Sequence, residues 1–173
     1  MKKALVLSSL VALTTVSAAN ARGLYFGSYL STGARGDLMD AISLDAAVGY
    51  SFGEFRVEAD VASIQLYADN DADFVDNLNL NIGVTAVKGL YDFALGDGFA
   101  AYVGAGLMSP SGICLGDGHL AANAVGVVGI KYAMTSELTL DLQYNRTLGL
   151  ISDGDTTTTG GNNIVKLGIV YSF

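Results

Sequence analysis

Residues 42–52 read ISLDAAVGYSF, in which apolar side chains at even positions alternate with small or polar side chains at odd positions. Successive side chains of a β-strand point to opposite faces of the sheet, so this alternation predicts a strand with one apolar and one polar face. Gly53 and Glu54 follow directly, and alternation resumes at Phe55. We therefore predict a two-residue turn at 53–54 between two antiparallel strands.

Segments with the same alternation recur along the chain. They lie near residues 23–31, 42–52, 55–61, 77–84, 99–107, 127–132, 138–144 and 165–173. Long polar segments near 32–40, 66–76, 109–119 and 149–161 alternate with short links near 53–54, 94–97 and 133–136. Long outer loops and short periplasmic turns alternate in this way in outer-membrane barrels. The sequence therefore predicts an all-β fold, an eight-stranded antiparallel, up-and-down transmembrane β-barrel with both termini at the periplasmic end.

The composition favours strands over helices. Hydrophobic residues make up 51% of the chain and its mean hydropathy is +0.42, which is high for a water-soluble domain. After Arg22 the sequence has no apolar run of about 18 residues, the length that a spanning helix needs. Twenty-two glycines and a single proline, Pro110, fit many strands joined by turns.

The amino terminus has the features of an export signal. Lys2 and Lys3 precede an apolar stretch at residues 4–16, and Ala19-Asn20-Ala21 fits the small-x-small rule for signal peptidase. We predict a cleavable signal peptide at residues 1–21 and an outer-membrane barrel domain at 22–173, with a permanent anchor as the alternative. Without the two signal lysines, seven basic residues face seventeen acidic ones, so nucleic acid is not an expected partner.

Charged residues separate a membrane barrel from a soluble sheet, which also alternates. Seven charges lie inside the predicted strands, all on the face opposite the aliphatic side chains: Asp45, Arg56, Glu58, Asp60, Lys131, Asp141 and Lys166. A charge that faces hydrocarbon at mid-depth costs about 2–4 kcal/mol, so lipid would enforce this exclusion. Aromatic residues collect at the short-link ends of the apolar faces, as in an interfacial girdle: Tyr50, Phe52, Phe55, Phe99, Tyr132, Tyr171 and Phe173.

These seven charges form a predicted lumen charge network. Lys131, Asp141 and Lys166 lie on neighbouring predicted strands, and we expect them to pair across the lumen as a plug. An eight-stranded barrel leaves an interior only wide enough for side chains. The alternative is a constitutive pore lined by the same charges.

Two basic residues fit the alternation poorly. Lys88 and Arg146 have lipid-facing parity if their strands run straight, near strand ends where a long basic side chain reaches phosphate groups. A β-bulge near Lys88 is the alternative.

The end of the chain resembles a recognition signal. Residues 168–173 read GIVYSF, which looks like the terminal signal by which the barrel assembly machinery recognises outer-membrane clients. The predicted assembly signal consists of Leu167, Ile169, Tyr171 and Phe173. The motifs LYDF at 90–93, YVGAGL at 102–107 and RVE at 56–58 are similar to the small OmpA-like or opacity-type outer-membrane barrel family. This resemblance covers residues 22–173 and implies a porin-like protein of the cell outer membrane.

The predicted loops hold weak site candidates. Asp69, Asp71, Asp73 and Asp76 are candidate metal ligands, but Phe74 and Leu80 break the calcium-loop pattern and a solvated acidic loop is favoured. Loose Mg²⁺ or Ca²⁺ bridging from the acidic loops to lipopolysaccharide phosphates is a further hypothesis.

Enzymatic activity and cofactors are not expected. His119, the only histidine, has Ala121 where small outer-membrane deacylases have serine, so no catalytic residue is predicted. Cys114 has no partner for an internal disulfide. We expect a surface barrel that contributes to membrane integrity, with loops that contact a host or surface ligand; the alternative is a small passive channel. Expected partners are outer-membrane lipid, lipopolysaccharide and the barrel assembly machinery.

Overall fold

The computed structural model describes residues 22–35, 37–67, 78–109, 122–151 and 162–173. Its strands are β1 Gly23–Arg35, β2 Asp37–Ser51, β3 Phe55–Tyr67, β4 Leu78–Gly96, β5 Phe99–Met108, β6 Ala122–Ala133, β7 Leu138–Ile151 and β8 Asn163–Ser172. Each strand pairs antiparallel with the next, and β1 also pairs with β8. The predicted eight-stranded up-and-down barrel is therefore confirmed.

Within the described ranges, no helix is long and apolar enough to cross a bilayer.

Three short connections lie at the same end of the barrel as Arg22 and Phe173, the first and last described residues. They are residues 52–54, Asp97–Gly98 and residues 134–137. Asp97 and Gly98 have φ of 51° and 81°, the left-handed geometry that a tight turn requires. Two of the links were predicted correctly, whereas the predicted link at 94–97 lies mainly within β4, which runs to Gly96.

The prediction of a long polar connection between strands at residues 32–40 is wrong. β1 continues to Arg35 and β2 begins at Asp37, and these two residues are register partners. Polar residues in this stretch belong to β1 and β2, so a polar run in the sequence did not mark the end of the strands. The other predicted outer segments fall largely outside the described residues.

The two faces of the strands have opposite environments. On β8, Leu167 is 49% exposed whereas its neighbour Lys166 is 3% exposed. The apolar side chains point outward and the polar ones point into the barrel, the reverse of a soluble protein. At the end with the short connections, outward aromatic rings pack together, with ring centroids 4.6 Å apart for Phe99 and Tyr132 and 4.9 Å apart for Tyr171 and Phe173.

An irregularity in β4 reverses its faces. Val84 is 40% exposed, but Ala86, two residues later, is fully buried. The pairing with β3 shifts at the same place, from Asp60↔Ala86 to Ala62↔Ile82. A bulge of this kind inserts backbone and changes the direction in which later side chains point. The prediction that Lys88 faces lipid is therefore wrong, and the alternative of a β-bulge near Lys88 is correct. Arg146 lies on the exposed face, as its parity predicts.

Candidate functional site in the barrel lumen

The interior of the barrel holds an ionic network. The structure places all seven residues of the predicted lumen charge network in buried positions, and it adds Lys88 and Asp92. Within the described residues the lumen thus contains five carboxylates and four cationic side chains. Buried charges are stable only when they are paired and hydrogen-bonded, so their partners decide what the lumen can do.

Lys166 organises the outer part of the network. Its Nζ lies 3.0 Å from Asp45 Oδ2 and 3.0 Å from Asp60 Oδ2. The Asp45 carboxylate also accepts hydrogen bonds from the hydroxyls of Ser31 and Ser63, at 2.7 and 2.8 Å. These contacts join β1, β2, β3 and β8 around one ammonium group.

Lys88 occupies the middle of the lumen. Its Nζ lies 2.6 Å from Glu58 Oε1 and 2.9 Å from Asp60 Oδ1, and it donates to Gln143 Oε1 at 3.3 Å. Glu58 is 0% exposed and also accepts a hydrogen bond from the Tyr25 hydroxyl at 3.1 Å. Asp60 bridges Lys88 and Lys166, so the middle and outer parts form one continuous network.

Arg56 extends the network towards the short-turn end. Its guanidinium lies 3.5 Å from Glu58, 3.4 Å from Asp92 and 3.8 Å from Asp141. Asp92 in turn lies 2.8 Å from Lys131 Nζ. Opposite charges therefore alternate from Asp45 at one end to Lys131 at the other.

The lysines that were expected to plug the lumen together with Asp141 form their ion pairs with other carboxylates. Lys166 lies against Asp45 and Asp60, and Lys131 lies against Asp92 as well as being the register partner of Asp141. Ion pairs form between side chains that lie at the same height along the barrel axis. The order of β6, β7 and β8 in the sheet does not by itself determine that height.

Tyrosine rings fill the space beside the ions. Tyr102 donates to Asp141 at 2.6 Å, and the Arg56 guanidinium carbon lies 4.3 Å from the centroid of the Tyr102 ring. The ring lies over its register partner Gly129, where an added Cβ would be 2.2 Å from Tyr102 Cζ. Glycine at this position therefore gives the ring its place in the lumen.

The same arrangement occurs twice more. Tyr25 is the register partner of Gly49, and Tyr29 is that of Gly168. An added Cβ would lie 2.2 Å from the Tyr25 ring at Gly49 and 2.4 Å from the Tyr29 ring at Gly168. Three tyrosine–glycine pairs on different strand pairs thus pack the interior.

Lys88 and Asp92 were missed because of the bulge. From Ala86 to Asp92 the even positions are buried, whereas Val87 and Tyr91 are exposed. The sequence does contain a signal for this placement. Lys88 and Asp92 are both ionisable and four positions apart, so they share one face of a strand, which the lumen would accommodate and lipid would not.

Other predicted sites lie outside the described residues. These are residues 1–21, the candidate metal ligands Asp69, Asp71, Asp73 and Asp76, and both Cys114 and His119. In the described part of the chain, no group of three His, Cys, Asp or Glu side chains is placed to hold a metal ion. The predicted assembly signal residues all lie on the exposed face of the last strand or directly after it, while their recognition by the assembly machinery stays a prediction.

A closed barrel with an apolar exterior, an ionic interior and aromatic rings at its short-turn end defines an integral β-barrel membrane protein. The sequence model of the Opacity family porin protein matches residues 48–173, and the chain belongs to this family. The predicted opacity-type resemblance and the outer-membrane location are thereby confirmed.

Solved structures share the fold at low sequence identity. The N-terminal β-barrel domain of Pseudomonas aeruginosa OprF matches with a TM-score of 0.55 and 16% identity, over 89% of this chain and 99% of that chain. Neisserial surface protein A matches with a TM-score of 0.53 and 15% identity, over 87% and 96%. A de novo designed transmembrane β-barrel matches with a TM-score of 0.53 and 12% identity, over 89% and 99%. Comparison with the curated proteins gives no significant match.

Proposed function

We propose that the protein is a non-enzymatic surface barrel that supports outer-membrane integrity and presents its outer segments to a host or environmental ligand. The observation that carries this function is the continuous ionic plug. Glu58 and Asp141 are fully buried at its centre, and each contacts cationic and tyrosine side chains from other strands.

The plug favours a rigid support over a passage. A permeating ion would have to separate pairs such as Lys88–Glu58 and Lys131–Asp92, whose charged atoms lie 2.6 and 2.8 Å apart. Removing one member of a buried pair costs about 3–5 kcal/mol, and a permeating ion would have to compensate for a cost of that order. We therefore assign interaction with other molecules to the exterior and the outer end.

A small passive channel is the second candidate. Gln143 Nε2 and Asn145 Oδ1 are buried without a hydrogen-bond partner among the described residues, and a water molecule would be one way to satisfy them. Water next to the plug would favour conduction if the ionic pairs exchange partners.

Planar-bilayer recording separates the two functions. The purified wild-type protein is expected to give no conductance, whereas a Lys88→Ala/Glu58→Ala double variant opens the middle of the plug and serves as the positive control. Heat-modifiable gel migration checks that both proteins are folded. Reproducible wild-type channels would reject the sealed-barrel function and establish the passive channel instead.

A further inference from the structure

Arg146 is a charged residue on the outer, exposed face of the barrel. It belongs to β7 and shares the exposed face with Leu142 and Tyr144. Of the strand residues whose side chains the structure describes, all other charged ones are buried in the lumen. No carboxylate of these residues forms an ion pair with its guanidinium.

The position of Arg146 along β7 places it near the outer edge of the apolar band. β7 begins at Leu138 beside the short connection 134–137, which is the periplasmic end by the barrel rule. For a strand tilted by about 40°, Arg146 lies roughly 20 Å further along the membrane normal. The apolar band of such barrels is about 25 Å tall, so a side chain at this depth extends into the headgroup region.

A neighbouring side chain adds a hydrogen-bond donor. Asn163 of β8 is the register partner of Arg146. The Tyr144 hydroxyl donates to Asn163 Oδ1 at 2.8 Å, which fixes the carboxamide on this exposed face. Asn163 Nδ2 keeps its N–H groups for another acceptor, and the register pairing places Asn163 across from Arg146.

We infer that Arg146 and Asn163 bind a phosphate group of an outer-leaflet glycolipid of the lipid A type. A guanidinium beside hydrocarbon is costly unless it reaches an anion, and its planar N–H groups match two phosphate oxygens. The site lies on the exterior of β7 and β8, and it is therefore independent of whether the lumen conducts.

Native mass spectrometry of the full-length protein, purified from outer membranes in detergent, measures the bound lipid. The probes are bis-phosphorylated lipid A, dephosphorylated lipid A and phosphatidylglycerol. Arg146→Gln is expected to weaken binding of bis-phosphorylated lipid A about tenfold, because charge-assisted hydrogen bonds are lost. Arg146→Lys keeps the charge but not the planar geometry, so an intermediate loss is expected.

Arg22→Gln is the matched control because Arg22 is an exposed arginine at the opposite, periplasmic end. It is expected to bind lipid A as the wild type does, and dephosphorylated lipid A should bind equally to the wild type and to Arg146→Gln. Unchanged affinity in folded Arg146→Gln, or an equal loss in Arg22→Gln, would overturn the site. Equal affinity for phosphatidylglycerol would overturn its assignment to lipid A. If Arg146→Gln does not fold, Arg146→Lys decides, and unchanged affinity in that variant counts against the site.

Discussion

Substitution of Lys88 tests the energetic role of the plug. Lys88→Met keeps the length of the side chain but removes the ammonium group that lies 2.6 Å from Glu58 and 2.9 Å from Asp60. Asp60 retains its ion pair with Lys166 at 3.0 Å, whereas Glu58 retains a longer ion pair with Arg56, at 3.5 Å, and its hydrogen bond from the Tyr25 hydroxyl. Breaking a buried pair costs about 3–5 kcal/mol, and we expect the lower part of this range because both carboxylates keep one cation.

The assay is equilibrium unfolding in urea of protein inserted in lipid vesicles. The chain has no tryptophan, so the folded fraction is measured by heat-modifiable gel migration. Adding Glu58→Gln to Lys88→Met removes the carboxylate that lost its closest partner, so we expect it to recover at least about 1 kcal/mol. Arg22→Met is the surface control, expected to change stability by less than about 0.5 kcal/mol.

A small loss of stability in Lys88→Met would contradict the ionic network around Lys88. If Lys88→Met lowers the free energy of unfolding by less than about 1 kcal/mol, the ammonium group is not part of a tightly paired network. Strict additivity of the two substitutions would equally show that Lys88 and Glu58 do not interact in the lumen.

Three further substitutions have expected outcomes. Gly129→Ala places a Cβ 2.2 Å from the Tyr102 ring and should lower the free energy of unfolding by about 1–3 kcal/mol, measured by the same gel assay; wild-type stability would contradict the packed ring. Leu167→Lys on the lipid face should cost about 2–4 kcal/mol in vesicles if it lies near mid-depth, and no cost would indicate that this face meets water. Phe173→Ala should reduce the amount of barrel assembled in cells while leaving unfolding in vesicles nearly unchanged, and normal assembly would reject the terminal signal.

The regular strands were predictable because lipid and lumen impose opposite demands on alternate residues. β2 and β8 show this clearly, since each keeps one apolar face from its periplasmic end into the middle of the barrel. The extension of β1 to Arg35 was not predictable from the same pattern. Residues 32–40 lack a regular apolar–polar alternation, and hydropathy then no longer distinguishes a strand from a loop.

The lumen site was predictable in composition but not in detail. Alternation identified seven buried charges, yet a bulge before Ala86 changed the face of Lys88 and Asp92. Pairing partners such as Lys166 and Asp60 lie 106 positions apart in sequence. Their contact depends on the register of every strand pair around the closed barrel, which local patterns do not specify.

In β8, odd residues face lipid and even residues lie in a filled lumen. Spin labels placed singly at residues 165–167 and 169–172 of the vesicle-inserted protein, in a Cys114→Ser background, measure this directly through collisions with oxygen and with a water-soluble nickel complex; Gly168 is left unlabelled because a side chain there would meet the Tyr29 ring. We predict high oxygen accessibility at the odd positions, including Leu167 and Ile169, and low accessibility to both reagents at the even positions, including Lys166. Nickel accessibility throughout the even positions would reveal a water-filled pore, and loss of the two-residue period would contradict the barrel orientation itself.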